Sequence, residues 1–135
     1  MNISQSEPFW LDLDDITSIH EEQIELHGGA HGIRDLGLVQ SALGRARSLY
    51  EIGGEADVLV LAVRLGLGIA KNHGFIDGNK RAGAFAMIEF LGFNGYWLDM
   101  PNNTRLGRLF KLAVADRITE EDLIAELDSW IIEFA

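Results

Sequence analysis

The chain contains no cysteine. That excludes a disulfide framework, a thiolate metal site and a thiol nucleophile, and it fits a reducing compartment such as the cytoplasm. Positive charge is scarce: 11 Lys and Arg stand against 21 Asp and Glu, a formal net charge of −10. A surface of that sign repels nucleic acid and anionic lipid unless a local patch reverses it. Only Lys80-Arg81 are adjacent cations, so direct binding to nucleic acid is not expected. Met1 to Asp15 has neither the positive region nor the apolar run of a secretory leader. The apolar stretch Val58 to Ile69 is interrupted by Arg64 and is too short to span a bilayer. These absences predict a soluble cytoplasmic protein with no membrane partner. At 135 residues it should form one domain, residues 1–135. A chain of this size buries roughly two thirds of its unfolded surface and needs no covalent staple.

What is present reads as helix almost throughout. Asp12 and Asp15 have the spacing of a capping box, followed by a stripe of Ile16, Ile19, Gln23 and Ile24. His27-Gly28-Gly29 closes that helix. Asp35 suits the cap of a second helix carrying Leu36, Val39 and Leu43, with Gly44 weakening its end. A polar connection from Tyr50 to Ala56 leads to Asp57, which can cap a third helix, Val58 to Lys71. That helix is apolar nearly all round, which predicts a path through the core. Its glycines, Gly66 and Gly68, cost about 1 kcal/mol each relative to Ala, so another helix should approach closely there. A fourth helix runs from Asn79 to Phe93 and stops at Asn94-Gly95. Tyr96-Trp97-Leu98 is short and ambiguous between helix and strand. Leu106, Leu109, Phe110, Ala113 and Val114 have the spacing of a fifth helix. Thr119 and Asp122 open a sixth, with Leu123, Leu127, Trp130 and Phe134 inward. The fold class is all-α, a compact domain of about six helices with the third and fourth central.

The chemistry concentrates in nine positions, His73-Gly74-Phe75-Ile76-Asp77-Gly78-Asn79-Lys80-Arg81, between two apolar segments. Gly78, Asn79 and Lys80 begin the fourth helix, where backbone N–H groups lack intrahelical partners and the dipole is positive. That is an anion site before any side chain is counted. Gly78 admits close approach of a phosphate; Asn79 offers an amide, and Lys80 and Arg81 add charge. His73 has the intrinsic basicity to take a proton from a hydroxyl near neutral pH. Asp77 suits either a helix cap or a Mg²⁺ ligand shared with phosphate oxygens. Phe75 should point inward and fix the loop. Lone histidines are ordinarily structural, and His20, His27 and His31 are read that way. Glu89, on an otherwise apolar face, is given no role in the chemistry and is an ion-pair candidate for Arg64 or Lys71.

The run His73-x-Phe75-x-Asp77-Gly78-Asn79-Lys80-Arg81 resembles the signature of Fic/Doc proteins, and more closely their death-on-curing (Doc) branch. Upstream, Gly32-Ile33-Arg34-Asp35-x-Gly37-Leu38 with Ser41-Ala42-Leu43 is similar to the second-helix block of that branch, and the likeness spans roughly residues 12 to 98. Gly74 departs from the Pro that is common there, implying a looser loop, and Ala82-Gly83 replaces the more usual Thr-Ala. The resemblance implies an all-helical domain whose loop and helix start bind ATP with Mg²⁺. Long Fic motifs transfer AMP to a protein hydroxyl and carry Gly at the position of Lys80 and a second Arg at that of Ala84. Doc toxins carry the Lys, lack that Arg, and phosphorylate a threonine of elongation factor Tu. The resemblance thus implies a protein kinase toxin, with His73 as base, Asp77 holding Mg²⁺, and Gly78, Asn79, Lys80 and Arg81 on the phosphates. It also implies a Phd-type antitoxin as partner, and a flap, placed at Tyr50 to Ala56, that aligns the target. An adenylyltransferase and a non-catalytic antitoxin-binding module are the alternatives.

Overall fold

The computed structural model describes residues 7–101 and 103–134. Six helices and two short strands follow in order: α1 Leu13–His27, α2 Leu36–Glu51, α3 Val58–Asn72, α4 Asn79–Phe93, β1 Tyr96–Leu98, α5 Asn103–Val114, α6 Glu120–Asp128 and β2 Ile131–Glu133. The helix starts are written locally. Asp12 and Asp15 form a reciprocal capping box, Asp35 and Asp57 accept backbone N–H groups at α2 and α3, and Thr119 and Asp122 form a second box at α6.

The core sits on α3, which α4 and α2 flank most extensively. Leu61, Ala62, Val63, Leu65, Leu67, Ile69 and Ala70 are all buried, as expected for a helix apolar nearly all round. Its glycines are where its neighbours come closest. A Cβ on Gly66 would lie 2.8 Å from the Gly83 carbonyl oxygen, and one on Gly83 would lie 2.4 Å from that of Gly66. Gly68 faces α2, with the Ala42 Cβ 3.3 Å from where its own would stand. The glycine in the second turn of α4 is therefore the condition for α3 and α4 to touch backbone to backbone.

Gly44 costs helix propensity, yet α2 continues past it to Glu51, because Ala46, Leu49 and Tyr50 pack on the core beyond it. Nothing lies within 4 Å of a Cβ at Gly44, so Gly44→Ala should raise stability by about 0.5–1 kcal/mol, read as a higher urea midpoint with unchanged slope. The sixth helix stops at Asp128 rather than carrying Trp130 and Phe134 inward. Ile131 and Ile132, β-branched residues that suit a pleated surface, instead pair antiparallel with Leu98 and Trp97. Phe134 stacks on Trp97 at 5.1 Å, outside the core. The ambiguous Tyr96–Leu98 segment is thus a strand, and the small two-stranded ribbon is the one sheet of the described residues. Finally, Arg64 pairs with Glu120 at 3.1 Å and Lys71 with Asp116 at 2.6 Å. Glu89 is left beside Asp15 and Glu22, and desolvation first, then those two like charges, push its carboxyl upward.

Candidate active site at the start of α4

The motif loop joins the end of α3 to the start of α4, and each end bends through the left-handed region. His73 ends α3 at φ 54, ψ 44, a conformation that His enters more readily than most residues. The Arg34 Nε donates to its carbonyl oxygen at 2.8 Å, which holds the bend. The imidazole itself is exposed. Gly74 is packed tightly: a Cβ there would lie 2.5 Å from the Val39 Cγ2. Its carbonyl accepts from the N–H groups of Arg34 and Asp35 at 2.7 and 2.9 Å. Packing and two hydrogen bonds thus counter the looseness that glycine implies here.

Phe75 is 1% exposed and anchors the middle of the loop. The Asn79 side chain grips its backbone from both sides: Oδ1 accepts from the Phe75 N–H and Nδ2 donates to the Phe75 carbonyl, each at 3.0 Å. Asn79 lies one turn before Gly83, on the face of α4 that meets α3. Its amide therefore turns into the loop, and what it presents outward is its backbone N–H.

Asp77 does not cap α4; the cap is Gly78, at φ 74, ψ 20, which offers no side chain. The Asp77 Oδ2 accepts from the Ala30 N–H at 3.2 Å and Oδ1 from the Gly78 N–H at 2.9 Å. Those two hydrogen bonds, that from Ala30 first, hold the carboxyl below its usual range against some desolvation, and the Arg81 charge adds to them. The ionised, exposed carboxylate suits a hydrated divalent cation, which needs only one or two carboxylates when phosphates supply other ligands. Among the described residues, no three or more His, Cys, Asp or Glu side chains form a metal cage. A cation at Asp77 would therefore share its coordination with phosphate and water.

The helix start itself is open. Side chains cap α1, α2, α3 and α6, but none caps α4. The first helical bond runs from the Ala82 N–H to the Gly78 carbonyl at 2.9 Å. The N–H groups of Asn79, Lys80 and Arg81 precede it without intrahelical partners, at the positive end of the dipole. Lys80 is exposed. Arg81 is half-buried, with NH1 donating to the Gln23 carbonyl at 3.3 Å. Ala84 packs against the core, so no cation stands one turn further on.

Two elements outside the motif complete the site. Residues 28–35 lie alongside the loop: Ile33 bridges antiparallel to Phe75, and the Ile76 N–H donates to the Gly32 carbonyl at 3.1 Å. Gly29 sits at φ 117, a conformation that L side chains rarely adopt, and a Cβ there would stand 2.8 Å from the Asp77 Oδ2. The flap position assigned to Tyr50–Ala56 is thereby corrected. That connection enters the beginning of α3, whereas the motif leaves its end, about 20 Å away along the helix. The other element is α1. His20 is 2% exposed and stacks on Phe75 with ring centroids 3.9 Å apart. Gln23 is equally buried, and its Oε1 has no partner among the described residues. Two polar residues three apart in an otherwise apolar stripe were the sequence signal for this contact. His27 and His31 stay exposed, His31 pairing with Glu25 at 3.1 Å.

The bonds at Asp77 make a pH prediction. A carboxyl whose folded value is depressed stabilises above its unfolded value and loses that stability as pH falls through the folded one. Asp77→Asn should therefore be less stable than wild type at pH 7, with the gap narrowing below about pH 4. Urea unfolding of both proteins across pH 3–7 reads the effect; a gap constant with pH would contradict it.

The Fic/DOC family profile matches residues 10–91. A protein named Toxin Doc from Mycolicibacterium smegmatis is 35% identical over 99 residues, covering 73% of this chain and 76% of the relative. The Protein kinase doc of Escherichia phage P1 is 26% identical over 112 residues, 78% of this chain and 89% of its own. With the motif loop, the open helix start and these matches together, the chain belongs to the Fic/DOC family, on its Doc branch.

Proposed function

We propose that this protein is a Doc-type toxin of a toxin–antitoxin pair and acts as a protein kinase, transferring the ATP γ-phosphate to a threonine of elongation factor Tu and so blocking translation. The observation that carries the reading is the uncapped start of α4, with Lys80 beside it, Ala84 in place of a second arginine, and His73 and Asp77 at the two ends of one loop. The names of the two relatives, a toxin and a protein kinase, support it.

In this reading the phosphates lie against the N–H groups of Asn79, Lys80 and Arg81, with the Lys80 and Arg81 side chains adding charge. Without an arginine at position 84 the nucleotide sits reversed relative to an AMP donor, with its γ-phosphate facing the acceptor. Asp77 would hold Mg²⁺, which would supply positive charge to the phosphate oxygens. His73 accepts the threonine proton as the oxygen forms its bond to the γ-phosphorus; the β–γ bridging bond breaks and ADP leaves. Catalysis of this kind is mainly positioning and electrostatics. Residues 28–35, with exposed Ile33 and Ile76 at their edge, take the flap role of aligning the target segment. A Phd-type antitoxin is the neutralising partner.

The test is the intact mass of elongation factor Tu after incubation with the purified protein and Mg²⁺-ATP. A phosphoryl increment supports the kinase. An adenylyl increment overturns the reversed nucleotide and establishes the adenylyltransferase reading. No increment, with growth unaffected on expression, would leave a non-catalytic antitoxin-binding module.

A further inference from the structure

Beneath the loop lies a buried imidazole that the chemistry above does not use. The His20 Nε2 is 2.7 Å from the backbone carbonyl oxygen of Asp77. A carbonyl only accepts, so this nitrogen carries hydrogen and donates. The N–H of the same peptide unit, that of Gly78, donates to the Asp77 Oδ1 at 2.9 Å. One peptide plane is therefore held at both ends, its oxygen pulled inward by α1 and its hydrogen by the carboxylate. The parallel stack of His20 on Phe75, with 6° between the planes, fixes the imidazole that does this.

The plane matters because of its neighbour. Gly78 sits at φ 74, ψ 20, and glycine reaches other φ values at little cost. Were the 77–78 peptide to rotate, the Asp77 carbonyl oxygen would turn from the interior toward the outer face of the helix start. A partial negative charge would then confront an anion where three N–H groups now stand.

We infer that His20 is a positioning residue that locks the 77–78 peptide and so keeps the start of α4 receptive to phosphate. The inference rests on the phosphate-binding reading of that helix start. It predicts that His20→Phe, which keeps the stack and loses the donor, weakens binding of a non-hydrolysable ATP analogue at least tenfold, in a protein that still unfolds in one cooperative transition above the assay temperature. His20→Gln, which restores a donor, should return binding to within about threefold. The backbone amides of residues 78–80 should be sharp in the nucleotide-free wild type by NMR and exchange-broadened in His20→Phe. Lys80→Ala serves as the control on the underlying site. If it weakens binding while His20→Phe does not, the positioning role is overturned alone; if wild type binds no analogue, both fall. A wild-type His20 Nε2 without hydrogen, read by long-range proton–nitrogen NMR, overturns the proposal without any variant, should His20→Phe fail to fold.

Discussion

Alanine at His73 is expected to slow modification of the target by about 10²–10⁴-fold, the span that a positioned general base contributes. The fold should lose no more than about 1 kcal/mol, the added cost of alanine at φ 54, a region that histidine enters more readily. The imidazole is exposed, and what holds position 73 is a backbone bond, from the Arg34 Nε to the His73 carbonyl. Binding of the ATP analogue should also persist, because the N–H groups proposed to meet the phosphates belong to α4. The informative result is thus a split: a rate collapse read by mass spectrometry, with melting temperature and nucleotide affinity near wild type. An undiminished rate would remove His73 from the chemistry. Loss of nucleotide affinity along with the rate would mean that the left-handed bend at φ 54 supports the phosphate site as well.

The second large effect is on stability. Gly83→Ala puts a methyl group 2.4 Å from the Gly66 carbonyl oxygen and 3.1 Å from the Ala70 Cβ and N. The first of these is backbone in the middle of the core helix and cannot swing aside. Alanine gains about 1 kcal/mol of helix propensity over glycine, but overpacking costs of order 1–3 kcal/mol, and more when two helices must separate. The expected balance is a net loss of about 1–2 kcal/mol, or a melting temperature lower by roughly 3–8 °C. Gly44→Ala, the same chemical change on an exposed helix face, should move stability the opposite way. If both substitutions stabilise, the close crossing of α3 and α4 is wrong.

How legible these features were depended on how local they are. The caps at Asp12, Asp35, Asp57 and Thr119 act within three residues of themselves, and the sequence showed them. The close approach at Gly66 was legible because two glycines inside a core helix need a reason. The end of α6 was not, because the partner that turns Ile131–Glu133 into a strand lies more than thirty residues back, at Tyr96–Leu98. His20 looked structural because its acceptor, the Asp77 carbonyl, is 57 residues away. The flap error was of another kind. That Tyr50–Ala56 precedes α3 while the motif follows it was already in the sequence, and the length of a 15-residue helix separates the two. The motif side chains were legible as a set, but the inward turn of Asn79 and the missing cap of α4 needed the packing of α4 on α3.

The contact between Gly66 and Gly83 also sets an angular phase. His73 follows Gly66 by seven residues, just short of two turns, and Asn79 precedes Gly83 by about one turn. Once the two glycines face one another, the azimuth of both loop ends is set. Adding or deleting one residue between Gly66 and Asn72 would swing His73 about 100° around the axis of α3, while every residue of the motif remained in place. Between those two points the number of residues fixes the geometry of the loop ends, as their side chains fix its chemistry.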